Sequence, residues 1–320
     1  MHAAQQAFAF VTDIHGNQTA LEAVLNDIGE FSQQRGFENP TIVCLGDSFD
    51  GGPDPLAVFE TLQSLSVPHL RGNHEDYLIE CRSNPEHEKF RRPLWRFVPW
   101  TVRQLGERLN SVEKESVASW SAADAPLQAV HGALQGNNRV PDFFSQQGGV
   151  PDSFAEEFLE QTPLGRCFYF NGHSHYLGRH CEPSGRSVWF NCGSVGYPFV
   201  EKRPEFPDAP LATWVWVEFA PHVPLRVINK RVPYSSDTLL RRYIDSGALA
   251  ECAPFSFAIA GQSLFNQDIV YPFFQSVKKR ELTAAETAAA LMMELGRQNV
   301  FERLNRLVRK AGLREVSPVW

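Results

Sequence analysis

The apolar run Ala7-Phe8-Ala9-Phe10-Val11 gives way to Thr12, Asp13, Ile14, His15, Gly16 and Asn17. Five consecutive apolar residues closed by a glycine turn read as a buried strand. Then the spacing changes. Leu21, Val24, Leu25, Ile28 and Phe31 fall at helical intervals, as in a helix with one buried face. Thr19-Ala20-Leu21-Glu22 has the form of a capping box at its start. The pattern repeats: residues 41–47 predict a second strand, 55–66 a helix, 67–70 a third strand and 74–80 a further helix. Strands alternating with helices imply βαβ units and an α/β fold.

Residues 81–120 break this alternation with a mostly helical insertion rich in aromatic and basic residues. Leu127-Gln128-Ala129-Val130 restores strand character, and residues 133–152, with the pair Gly148-Gly149 next to Asp142-Phe143-Phe144, read as a long loop. Further strands are expected at 167–170, 187–192, 211–219 and 225–232, the last three with little helix between them, as in an antiparallel sheet. A helix at 236–243 stops near Gly247. Beyond residue 250 come a Phe-rich stretch, 253–265, and two helices, one opened by Thr283-Ala284-Ala285-Glu286. The expected organisation is one α/β (α+β) domain over residues 1–250, with a helical cap near 81–125 and a lid-like loop near 133–152. A helical extension follows over 251–320.

With 320 residues and 43% hydrophobic content the chain can bury a substantial core. Its net charge of -7 contains no long block of either sign. That argues against a dedicated nucleic-acid or anionic-membrane surface and leaves room only for a local basic patch. The first residues lack a basic segment followed by a long apolar one, so neither a signal peptide nor a membrane span is expected, and the cytoplasm is the expected location. Cys44, Cys81, Cys167, Cys181, Cys192 and Cys252 show no CxxC spacing and read as reduced, mostly buried thiols. The chain contains neither a P-loop nor a convincing GxSxG, which removes the NTPase and serine-hydrolase readings.

Chemistry collects where the strands end. Side chains two apart on a strand share a side, so Asp13 and His15 are aimed together. Four later strand ends offer Asp47 with Asp50, Asn73-His74-Glu75, His131, and His173 with His175. Each of the five clusters lies beside a glycine that permits close backbone approach. The carboxyl ends of strands line the ligand crevice of open α/β folds, so the five clusters are expected to meet.

Taken together, TDIHGN, GDSFDGGPDP, LRGNHE, VHG and NGHSH resemble the calcineurin-like metallophosphoesterase superfamily over roughly residues 8–232. The resemblance implies a four-layer αββα sandwich carrying two divalent ions. It assigns Asp13, His15, Asp47 and His175 to one ion, and Asp47, Asn73, His131 and His173 to the other, with Asp47 shared. It also makes His74 the general acid and Asp50 the group that orients it. Two divalent cations about 3.5–4 Å apart repel, so a shared carboxylate and a shared hydroxide are needed between them. The expected nucleophile is that hydroxide, attacking phosphorus in line with the leaving group. The mixed nitrogen and oxygen set suits Mn, Fe, Zn or Ni.

Departures from the pattern narrow the expectation. Phosphoprotein phosphatases follow the second Asp with a phosphate-binding Arg, where this chain has Gly51-Gly52-Pro53. Together with Asn191-Cys192-Gly193-Ser194-Val195-Gly196, this is closer to the bacterial and archaeal phosphodiesterase-like branch, related to symmetric dinucleoside tetraphosphatases. The expected activity is therefore that of a phosphodiesterase or a nucleotide or dinucleoside polyphosphate hydrolase. The alternatives are a Ser/Thr phosphoprotein phosphatase or other phosphomonoesterase, and a non-catalytic metal-binding scaffold. The full set of seven ligands and His74 favours catalysis.

Candidate substrate contacts are Arg71, for which a structural salt bridge is the favoured reading, and Arg92 and Arg96 in the aromatic segment 90–100. That segment could stack a base or simply seal the insertion. Gly193-Ser194 reads as a substrate contact or a tight turn. Arg303, Arg306, Arg309, Lys310 and Arg314 read as a solvated basic face opposite Leu304, Leu307 and Val308.

Overall fold

The computed structural model describes residues 5–141, 156–199, 209–265, 268–270, 272–273, 283–310 and 312. Its strands are β1 (Gln6–Val11), β2 (Thr41–Cys44), β3 (Ser119–Ser121), β4 (Leu127–Val130), β5 (Glu157–Glu160), β6 (Cys167–Asn171), β7 (Leu177–Cys181), β8 (Ser187–Cys192), β9 (Leu211–Phe219) and β10 (Leu225–Pro233). They form two five-stranded sheets, ordered β2-β1-β9-β10-β5 and β3-β4-β6-β8-β7.

Alternation along each strand explains how the sheets stack. Phe8 and Phe10 of β1, with Val215 and Val217 of β9, point into a core shared by the two sheets. Their neighbours Ala7, Ala9, Val11, Trp214 and Trp216 face a second core, built with the helices. Phe10 stacks on Phe170 of the opposite sheet with centroids 4.3 Å apart, joining the two sheets face to face. The result is a two-sheet sandwich with helices packed on the outer face of the first sheet. The chain enters it by parallel β1–β2 pairing and completes the sheet with antiparallel β9 and β10. β8 departs from the expected antiparallel run. It pairs parallel with β6 and antiparallel with β7, a strand hidden in the sequence by its polar Gly178-Arg179-His180.

Helix α1 (Gln18–Arg35) is capped by Asn17, not by the expected box at Thr19. The Asn17 amide works at both ends: its oxygen accepts from the Ala20 N–H at 3.0 Å, and its nitrogen donates to the Gly196 carbonyl at 3.1 Å. Gly36 closes the helix in the left-handed conformation that its missing Cβ permits. Helix α2 (Pro55–Ser64) has Pro55 in its first turn, where no N–H is required. The expected third strand is reduced to isolated bridges, Cys44 to His69 and Leu70 to Val117. Pro68 lacks a ladder donor, which keeps this segment short. Helix α3 (Asn73–Ser83) follows.

The insertion folds into helices Glu88–Arg91, Phe97–Leu105 and Leu109–Glu115, whose Phe97, Trp100, Leu105 and Val112 enter the helix-side core. Aromatic faces in it are used internally: Trp95 stacks on Phe97, and Lys89 lies over the rings of Tyr77 and Trp95. The Phe-rich stretch forms the helix Phe255–Phe265, in which all eleven residues are buried. A helix apolar on every side belongs in an interior, and this one shares its core with Val11 and Trp214. Helix Ala284–Arg297 opens on the expected Thr283–Glu286 box. Leu304 and Val308 of helix Val300–Lys310 face inward. The expected loop tip at Asp142 to Gly149, together with Arg314, lies outside the described residues.

Candidate metal centre

β1 and β2 end at Val11 and Cys44, and the chemistry sits in the loops just beyond. Asp13 and His15 reach one spot not by strand alternation but by left-handed backbone, with φ of 50° and 48°. Asp47, His173 and His175 share that conformation, at 52°, 65° and 60°. Such φ values cost a non-glycine residue roughly 1–3 kcal/mol and cluster at functional sites. The loops hold one another in this form: Asp13 N–H donates to the Gly46 carbonyl, His15 N–H to that of Asp47, and Gly172 N–H to that of His131. Two glycines permit the approach. A Cβ on Gly72 would lie 2.0 Å from Asp47 Oδ1, and one on Gly172 would lie 2.3 Å from Asp13 Oδ2.

Two clusters result, the buried Asp13–His15–His175 and Asp47–His131–His173, in which His173 is half-buried, with ligand-type atoms in each lying within 4.8 Å of one another. In the first, Asp13 Oδ2 is occupied by the Thr12 hydroxyl and the His173 N–H, while Oδ1 has no hydrogen-bond partner among the described residues. His175 Nε2 lies 3.1 Å from that oxygen and 3.3 Å from His15 Nε2. His15 Nδ1 meets the Asp50 carbonyl at 3.0 Å, and His175 Nδ1 meets that of Tyr197 at 3.2 Å. A ring that donates from Nδ1 keeps a lone pair on Nε2. In the neutral rings, lone pairs of two imidazoles and a carboxylate would therefore face one point.

The second cluster repeats this logic. His131 Nδ1 meets the Leu45 carbonyl at 2.8 Å, and its Nε2 lies 3.1 Å from Asp47 Oδ2 and 3.2 Å from Asn73 Oδ1. Acceptors gathered around a buried point need a cation or protons among them. The nitrogen and oxygen donors fit a divalent transition metal.

Titration of the metal-free groups reports the same field. Burial alone would raise Asp13, but His175 and His15 hold it well below the usual carboxylate range. Asp47 is lowered too, against its burial, chiefly by His131 and His74. Burial opposes charging of His15, yet its bonds to Asp13 and Asp50 push it up to about 10. His131 rises to about 9 against burial, because Asp47 adjoins it. His173 is lowered to about 4 by burial and by the neighbouring His131.

His74 stands beside both clusters, its Nδ1 2.7 Å from Asp50 Oδ1. Asp50 and Asp47 raise its pKa, overcoming burial. Its ring lies against Phe97 of the insertion at 5.9 Å.

The sequence reading missed two supports. Glu75 is fully buried and accepts the N–H groups of Asp47, Ser48 and Gly72 at 2.7–2.8 Å. Burial and the adjacent Asp47 raise it to about 7. Its signal was present in the sequence, as an acid in the first turn of α3. Tyr197 packs its ring against His15 and His175, each at 4.5 Å, and no motif marks it.

The three arginines have partners of their own. Arg71 donates to Ser116 Oγ and the Glu113 carbonyl, Arg92 pairs with Glu88, and Arg96 donates to the Ala253 carbonyl. Gly193 and Ser194 form a turn whose Ser194 hydroxyl donates to the Asp13 carbonyl at 2.8 Å.

Comparison with known proteins places the chain in a family. A metallophosphoesterase structure from Sphaerobacter thermophilus matches with a TM-score of 0.53 and 23% identity, covering 76% of this chain and 94% of that one. A candidate diadenosine tetraphosphatase matches with a TM-score of 0.43 and 16% identity over 72% of this chain and 96% of that one. An uncharacterized protein of Methanocaldococcus jannaschii is 40% identical over 67 residues, 21% of this chain, and the match spans only 25% of that relative's length. The profile of the calcineurin-like phosphoesterases matches residues 7–192, more than half of the chain, and the chain belongs to that family.

Proposed function

We propose that this phosphoester hydrolase cleaves phosphodiesters or nucleotide or dinucleoside polyphosphate bonds, using two divalent ions of Mn, Fe, Zn or Ni. One observation carries the reading: Nδ1 of His15, His131 and His175 is engaged by backbone carbonyls, which leaves Nε2 of His15 and His175 3.8 and 3.1 Å from Asp13 Oδ1, and Nε2 of His131 3.1 Å from Asp47 Oδ2. Asp13, His15, Asp47 and His175 would hold one ion, and Asp47, Asn73, His131 and His173 the other. Such ions supply positive charge to phosphoryl oxygens and acidify water at neutral pH.

His74 acts as general acid in this reading. Asp50 holds its Nδ1 and leaves Nε2 to hand a proton to the departing oxygen. Diesters are favoured over monoesters by the wall at Gly51, the position where related phosphatases carry an Arg. Gly51 has a φ of 96°, and the space a Cβ would enter lies 3.2 Å from Ile259 Cδ1. With no guanidinium there, a dianionic monoester is less well balanced than a monoanionic diester. All six cysteines are unbridged, which fits a reducing cytoplasm. No helix among the described residues is long and apolar enough to cross a membrane.

The test uses metal-stripped protein restored with Mn²⁺, with bound ions counted and hydrolysis of bis(p-nitrophenyl) phosphate compared with that of p-nitrophenyl phosphate. Two ions and a faster diester reaction are expected. A faster monoester reaction overturns the substrate class, and two bound ions with neither ester cleaved favours the scaffold reading.

A further inference from the structure

The buried helix Phe255–Phe265 lies beyond the residues matched by the family profile, yet it reaches the metal centre at two points. Ile259 closes the space beside Gly51, with His15 Nδ1 3.7 Å from that same position. Gln262, wholly buried, donates from Nε2 to the Tyr197 carbonyl at 3.3 Å. That carbonyl is the one that engages His175 Nδ1.

The direction of the Gln262 amide is not arbitrary. Its Oε1 accepts the N–H groups of Ile269 at 3.2 Å and Val270 at 2.9 Å. Two backbone donors require the oxygen on that side, so the NH₂ group must face Tyr197. Tyr197 is held from its other end as well: its N–H donates to Ser194 Oγ, which in turn donates to the Asp13 carbonyl. The carbonyl therefore has a fixed place, and its two lone pairs serve Gln262 and His175 together. With Nδ1 engaged, His175 presents Nε2 toward Asp13 Oδ1 and His15 Nε2.

We propose that Gln262 is a positioning residue for the Asp13–His15–His175 half of the centre, acting on His175 through the Tyr197 carbonyl. The proposal rests on the two-ion reading. It is selective. Among the described residues, the hydrogen bonds of Asp47 and His131 go to Glu75, His74, His15, Leu45, Asn73 and Gly172, and none reaches this helix. Partners that orient a metal-bound histidine are typically worth about 10–100-fold in metal affinity.

The experiment titrates the metal-stripped full chain with Mn²⁺ by calorimetry, comparing wild type with Gln262→Met and Tyr234→Phe. Met fills the same unbranched volume but donates nothing. Tyr234→Phe removes a different bond to the same helix, from Tyr234 Oη to the Ser263 carbonyl at 2.7 Å, and controls for simple loosening. Gln262→Met is expected to weaken one of the two ions by about 10–100-fold and to leave the other within about threefold, while Tyr234→Phe binds both as wild type does. Equal affinities in Gln262→Met, or the same loss in a Tyr234→Phe protein matched in Tm, would overturn the proposal. A wild-type chain that takes up fewer than two ions overturns the two-ion reading, and the proposal with it.

A second measurement needs no variant. Coupling between sites is reciprocal, so Mn²⁺ should slow hydrogen exchange at the Ile269 and Val270 amides of the wild-type chain several-fold. Unchanged rates with both ions bound would overturn the proposal.

Discussion

The two halves of the centre are built from the same materials but propped from different parts of the chain. Around Asp47 and His131 the supports come from the loops and the first helical turn that carry the ligands themselves. The Leu45 carbonyl takes His131 Nδ1, and Glu75 gathers three N–H groups of the Asp47 and Gly72 loops. Around Asp13 and His175 the chain reaches further: Tyr197, from the segment after β8 and 22 positions from His175, engages that ring, and behind it stands Gln262 of helix Phe255–Phe265. One half is thus a local product of βα loops, and the other depends on how the end of the chain packs. Ligand identity and ligand rigidity are separate properties, and only the first is written in motifs.

The largest effect should come from the residue proposed to serve both halves. Asp47 lies against His131 and groups also with His15 and His74. Asp47→Asn removes a shared buried charge and should lower turnover about a thousandfold or more while weakening both ions. Loss of a single ion would mean that the halves share nothing at Asp47. His74 tests the opposite case, since it stands beside both clusters and is assigned to neither ion. His74→Asn should slow esters with poor leaving groups by about 10²-fold, should slow nitrophenyl esters far less, and should leave ion binding intact. An equal loss on both classes of ester would remove its role as the acid.

This division also explains what could be read from the sequence. The α/β alternation and the clustering of Asp13, His15, Asp47, Asn73, His131, His173 and His175 were legible because short apolar runs closed by Gly-flanked ligands mark the strand ends, and the sandwich followed from the family resemblance those motifs carry. The start of α1 was misread, because Asn17 caps the helix and also holds Gly196, a tertiary bond with no local signal. β7 was missed for its polar composition. Glu75 was visible but unused, since an acid in the first turn of a helix has an ordinary explanation. Tyr197 and Gln262 were illegible. Their contribution runs through a backbone carbonyl, which every residue possesses, and through a contact spanning 65 positions.

Comparing the two props directly sharpens the contrast. Glu75→Gln turns an NH₂ group toward backbone N–H donors and should cost about 1.5–3 kcal/mol. Measured in a His175→Ala background, where only the Asp47–His131–His173 ion remains, it should also weaken that ion by about 10–100-fold. In a His131→Ala background, which keeps the other ion, Glu75→Gln should change affinity by less than about threefold, and Gln262→Met should then account for the large loss. If both substitutions weaken the same ion, the halves are not separately supported.

The last effect is one of pH, and it should be shared evenly between the halves. His15 and His131, one in each half, are raised to about 10 and about 9. Near pH 7.5 both carry protons in the metal-free protein, and each ion must displace about one. Affinity should then rise about tenfold per pH unit for each displaced proton between pH 6.5 and 8.5. Stability of the stripped protein should move the other way. A histidine raised in the folded state contributes stability that is complete below its unfolded value of about 6.5 and is lost as pH climbs toward 9–10. Raising the pH from 6.5 to 8.5 should therefore lower the Tm of stripped protein and widen its gap from Mn²⁺-loaded protein. Calorimetry in two buffers of different ionisation enthalpy counts the protons. One per ion supports a matched pair of half-sites, whereas two protons from one ion and none from the other would show that the carboxylate field is concentrated in a single half.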